Sequence, residues 1–118
     1  MGSTIRRWDI VERELLKVGI TPSHPSRFVE VGVFKGQFSS HMMSRFPLME
    51  FYGVDPFKSF DQITYRCRRS AAWSQKDWDD VFEKVSHIFS GFGKRAHLIR
   101  NTSKKGSVQT PNVIDGVF

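Results

Sequence analysis

A single cysteine, Cys67, excludes an internal disulfide, and without a CxxC pair it excludes a cysteine zinc knuckle as well. The expected setting is a reducing, cytoplasmic one. No apolar run approaches the ~18 residues of a membrane span, and the N-terminus lacks the apolar stretch of a signal peptide. "MGSTIR" opens like a myristoylation signal but carries Arg6 where serine or threonine is needed. The four histidines, His24, His41, His87 and His97, show neither metal-ligand spacing nor a nucleophile partner, so no metal is expected.

What is present describes one small globular domain. At 118 residues the chain is one domain at most, able to bury about two-thirds of its unfolded surface. Eleven phenylalanines supply large core side chains and argue against disorder. The net charge of +6 would suit an anionic partner. Its basic residues are dispersed, however, with small clusters only at 65–70 and 103–105, so a solvated basic surface is the reading ahead of nucleic-acid binding.

Periodicity sets the element order. Ile5, Trp8, Val11, Leu15 and Val18 form one helical face, with Thr4 as cap and Gly19 beyond the end. "TPSHPS" breaks the structure, because prolines this close fit neither a helix nor a strand interior. "RFVEV" then reads as a buried strand. Phe38, Met42 and Phe46 step by four in a helix stopped by Pro47, and "MEFYGV" is a second strand. Residues 56–74 carry no period and read as a long loop with a short helix.

The strongest stripe follows, Trp78, Val81, Phe82, Val85, Ile88 and Phe89, capped by Ser74 and stopped by "GFG" at 91–93. "AHLIR" and "NVIDGVF" are the third and fourth strands. Residues 1–26 thus form an N-terminal helix and loop, and 27–118 a βαβ half. Strands alternating with helices predict an α/β, Rossmann-like three-layer sandwich on a mostly parallel sheet of four strands.

Gly32 and Gly36 sit where the first strand turns into a helix, a place that needs glycine for backbone angles and for close ligand approach. The spacing is E-x-G-x-x-x-G, with Glu30 before the first glycine, and not the dinucleotide fingerprint. A phosphate would avoid that carboxylate, whereas an amino-bearing cation would seek it. Asp55, ending the second strand, can accept two hydrogen bonds from a ribose diol. Phe57 reads equally as a ring flanking a base and as core.

On these residues the sequence resembles the class I SAM-dependent methyltransferases, in particular a small methyltransferase-like group. "FVEVGVFKGQFS" is similar to its glycine motif, "YGVDPF" to its ribose motif and "HLIRNTS" to its third-strand segment. The resemblance runs from Phe28 to Phe118. It implies S-adenosylmethionine (SAM) as cofactor, with Glu30 on the methionine amino end, Gly32 and Gly36 lining the cofactor, Asp55 on the ribose, and Thr102 and Ser103 near the adenine.

The family's fourth strand continues into a segment bearing an acid and a histidine on the substrate side, and neither is in this sequence. The chain is therefore expected to be truncated after the cofactor-binding half. No catalytic residue is assigned and the methyl acceptor is not named. SAM binding without transfer is the expected behaviour. The alternatives are a non-catalytic nucleoside-binding module and a basic RNA-binding protein. An open edge at "NVIDGVF", charged only at Asp115, and strands left bare on the sheet's second face are expected to favour self-association.

Overall fold

The computed structural model describes residues 5–58, 73–111 and 114–118. The expected cap Thr4, the basic cluster at 65–70 with Cys67, most of the 56–74 loop with its short helix, and residues 112–113 of the fourth strand lie outside them. The elements run α1 (Arg7–Lys17), β1 (Ser26–Val31), α2 (Gln37–Arg45), β2 (Met49–Val54), α3 (Gln75–Ser90), β3 (Ala96–Ile99), α4 (Ser103–Gly106) and β4 (Gly116–Val117). Short 3-10 turns precede β3 and follow α4. The four strands form one parallel sheet in the order β3-β2-β1-β4. This is the α/β, Rossmann-like arrangement that the strand and helix alternation predicts. No helix among the described residues is long and apolar enough to cross a membrane.

Local chemistry explains the helix limits. Arg6 stands in the N-cap position of α1, where Asp9 Oδ2 accepts its amide at 2.9 Å. The helix closes through the Ile20 N–H to the Leu15 carbonyl at 2.9 Å, and both of those side chains are buried. Ser74 caps α3 as expected, accepting from the Asp77 amide at 3.2 Å while Asp77 Oδ2 accepts from the Ser74 amide at 2.9 Å. The face expected on α1 is longer than the face used. Leu15 is buried and Trp8 and Val11 pack partly against the core, whereas Ile5 and Val18 are exposed because they overrun the contact with α2 and the sheet.

Strand alternation divides the core in two. Phe28, Met49, Phe51 and Leu98 face α1, α2 and α3, joined by Phe38, Met42, Phe46, Val85 and Phe89. Each fully buried phenylalanine stabilises this side by about 2–3 kcal/mol. On the other face Val29, Val54 and Ile99 form a smaller buried cluster with Tyr52 and Ile114. That second face is less bare than expected. The segment 103–106 lies beneath it, with Gly106 so close that a Cβ there would meet Val54 Cγ1 at 2.6 Å. Tyr52 and His97 stack with centroids 4.4 Å apart. Val31 and Val117, at 47% and 67% exposure, remain open beside the edge strand β4.

Arg95 supplies a tertiary cap that periodicity does not reveal. Its guanidinium donates to the carbonyls of Met43, Phe46 and Met49 at 2.6, 3.0 and 3.1 Å, gathering the end of α2 and the start of β2. Arg95→Ala is expected to lower stability by about 2 kcal/mol, since hydrogen bonds to a charged donor carry about 1.5–3 kcal/mol each and the freed carbonyls regain some water. Arg95→Lys should recover less than half of the loss, because one ammonium cannot span the fork. Urea midpoints of the three proteins check this, and an Arg95→Ala midpoint equal to wild type would remove the cap.

Candidate functional site

The carboxyl ends of β1 and β2 are adjacent, with Glu30 paired to Gly53 and Val31 to Val54. Glu30 points to the helical face and is fully buried. Ser39 Oγ, on α2, donates to its Oε1 in a short hydrogen bond, and Oε2 has no partner among the described residues. Burial pushes its pKa from 4.5 up to about 7, and the Ser39 bond and the Arg7 charge offset only part of that, with a small further push from Asp55. A carboxyl held in this state is poised to lose its proton to solvent when a cationic group is brought beside it.

The turn after β1 passes through three left-handed residues, Gly32 (φ 88°), Phe34 (φ 54°) and Gly36 (φ 79°). Gly32 donates to the Val54 carbonyl at 2.8 Å, and a Cβ on it would point into open space. That is the geometry a close ligand approach requires. Gly36 differs. A Cβ there would lie 3.6 Å from Val85 and Ile88 of α3, so its surroundings are helix packing as well as the turn.

Asp55 is 8% exposed and holds two turns at once. Its Oδ2 accepts from the Phe34 amide at 3.0 Å and its Oδ1 from the Phe57 amide at 2.8 Å. Phe34 and Phe57 are the non-glycine residues with positive φ among those described, at 54° and 45°. The carboxylate thus compensates the backbone cost of both. The Phe57 carbonyl is held in turn by Gln75 Nε2 at 3.0 Å and Arg100 Nη2 at 3.2 Å, while Arg100 pairs closely with Asp79 and lies over the Phe82 ring. The Phe57 ring is fully buried, edge-on to Phe82, which is a core position. Each Asp55 oxygen retains acceptor capacity beyond its one amide bond.

Thr102 and Ser103 follow β3, the next strand across. The Asn101 amide donates to the Asp55 carbonyl at 3.1 Å, tying this segment to the end of β2. The Thr102 hydroxyl caps α4 by accepting from the Lys105 amide at 3.3 Å, and both Thr102 and Ser103 are exposed. The structure therefore gathers Glu30, Gly32 and Asp55 at neighbouring strand ends, sets Gly36 against α3, and leaves Thr102 and Ser103 one strand away.

Sequence reasoning passed over Ser39, Phe34, Gln75 and Arg100. Ser39 had a faint signal, a polar residue one position past Phe38 in an otherwise buried helix stripe. The others had none. It also could not bring His41 of α2 to Asp9 and Glu12 of α1, where one ligand atom of each lies within 4.8 Å of the others. Arg45 already pairs with Glu12 at 2.5 Å there.

Compared with known proteins, the chain matches no family model, and neither a curated protein nor a solved structure is significantly similar to it.

Proposed function

We propose that the chain binds S-adenosylmethionine across the carboxyl ends of β1 and β2, as a methyltransferase-like protein. One observation carries this reading: the sheet order β3-β2-β1-β4 puts the chain's reversal beside β1, and the Glu30–Gly32 turn leaves β1 there with the Asp55 strand end beside it. In parallel sheets ligands bind outside the carboxyl ends at such a reversal. Glu30 would meet the methionine ammonium, whose charge replaces the proton that burial otherwise retains. Asp55 would accept the ribose hydroxyls with the oxygen capacity its amide bonds leave. The open space at Gly32 would admit the cofactor. Methyl transfer needs an acceptor held in line with the sulfonium methyl, and no described residue is assigned to that task.

Thermal unfolding with SAM and with S-adenosylhomocysteine tests the reading. Ligand at a hundredfold excess over Kd should stabilise the fold by about 2.7 kcal/mol. No shift with either ligand in the folded chain would overturn it. Gly32→Val is expected to stay folded, since its Cβ meets nothing, but to lose this shift. The side chain would fill the approach, and the left-handed backbone would add about 1–2 kcal/mol of strain. A folded Gly32→Val protein that keeps the full shift would count against the pocket.

A further inference from the structure

An open concavity of about 480 Å³ lies between the start of α1 and the start of α2. Arg6, Lys35, Gln37, Ser40, His41 and Ser44 supply its polar groups, and no carboxylate among the described residues lines it. It contains none of Glu30, Gly32 and Asp55 and shares only Gly36 with the site described above.

Its two permanent cations are held in place without ion pairs. The Arg6 guanidinium lies 5.4 Å from the Trp8 ring centroid, and Lys35 Nζ lies 5.4 and 5.7 Å from the rings of Phe34 and Trp73. Neither has a carboxylate within ion-pair distance among the described residues. Exposed cations elsewhere in the molecule that have a carboxylate in reach use it, as in Lys17–Glu14, Arg45–Glu12 and Lys76–Asp80. The nearby acids are engaged elsewhere. Asp9 accepts the Arg6 amide, and Glu12 faces Arg45 and His41. The first turn of α2 carries no acid, and Gly36 offers it no side-chain cap. Arg6 and Lys35 therefore bring two positive charges without a carboxylate partner among the described residues, with hydroxyl and amide groups lining the same concavity.

We propose that this cleft binds a phosphate group, carried by a nucleotide or by single-stranded RNA. Two cations from different segments, Arg6 and Lys35, line the same concavity as Ser40, Ser44 and Gln37. That suits a tetrahedral anion with several acceptor oxygens better than a planar carboxylate, which is gripped by one fork. The concavity is wide and open to solvent, so it leaves room for the remainder of a larger phosphate-bearing ligand. Aromatic contacts that fix both cations before binding reduce the ordering cost.

The test titrates the full chain with inorganic phosphate, with adenosine monophosphate and with a fluorescein-labelled single-stranded RNA, read by calorimetry and by anisotropy. Arg6→Ala/Lys35→Ala is expected to weaken binding about tenfold or more, the loss of two charged donors. Lys94→Ala, which removes an exposed cation elsewhere, should leave it within about twofold, as for a surface change remote from the site. Equal affinity of the mononucleotide and the RNA assigns the phosphate to a small ligand. Tighter, salt-dependent RNA binding assigns it to a nucleic-acid backbone. Absence of binding by every probe up to about 10 mM, a range weaker than any functional affinity, overturns the proposal. So does an Arg6→Ala/Lys35→Ala protein, folded by circular dichroism, that binds as well as wild type.

Discussion

Asp55→Ala is expected to be the most damaging single substitution in the strand-end region, costing about 3–5 kcal/mol out of the ~5–15 kcal/mol that holds a domain of this kind together. The cause is the double acceptor role of this one carboxylate. Alanine leaves the amides of Phe34 and Phe57 without their partner at 3.0 and 2.8 Å, in the two turns where the backbone is left-handed without glycine. Asp55→Asn keeps one acceptor oxygen and turns an amide donor toward the other N–H, so about half of that cost should remain. Urea unfolding of the three proteins checks this, and an Asp55→Ala midpoint within about 0.5 kcal/mol of wild type would show that the turns do not depend on the clamp. Asp55→Asn also separates clamp from ligand. If the ribose reading holds, the folded variant loses SAM affinity by about tenfold or more. Unchanged affinity would leave the clamp standing and remove the ribose role.

Glu30 sets the second large effect, and its sign depends on pH. The folded-state pKa of about 7 lies above the ordinary 4.5, so the unfolded chain loses this proton first as pH rises. The native state then binds more protons than the unfolded state between those values. Stability is therefore fully present below about pH 4.5, falls as pH rises, and has lost about 3 kcal/mol from this group once pH exceeds 7. Glu30→Gln keeps the shape and the acceptor for Ser39 but cannot ionise. It should match wild type near pH 4 and be more stable by up to about 3 kcal/mol near pH 8.5. Chemical denaturation across that range is the measurement, and parallel pH profiles for the two proteins would show that Glu30 does not titrate between fold and unfold. An ammonium-bearing ligand favours the ionised carboxyl, so SAM should narrow the difference at high pH in wild type and fail to do so in the variant.

Much of this molecule is legible without coordinates because it is written in short-range patterns. The stripe on α3 and its Ser74 cap, the helix stopped before Pro47, and the β-branched and aromatic runs of β1 and β2 each follow from residues a few positions apart. So does the placing of Gly32 after one strand and Asp55 at the end of the next. The succession of the first three strands needs only these elements and the handedness of their connections, whereas the place of β4 beside β1 is set by the tertiary structure.

What the tertiary structure alone decided are contacts between residues far apart in the chain, where no local spacing carries a signal. Asp55 reaches the Phe34 amide, Ser39 meets Glu30 across the strand–helix layer, and Arg95 gathers carbonyls about α2. The segment 103–106 covers the sheet's second face, and α1 and α2 together set Arg6 and Lys35 around one cleft. The place of the acid at the second strand's end was readable from the sequence. Its use as a clamp for two left-handed phenylalanines was not, because those backbone angles exist only once β1 and β2 lie side by side and both turns must close over their shared edge.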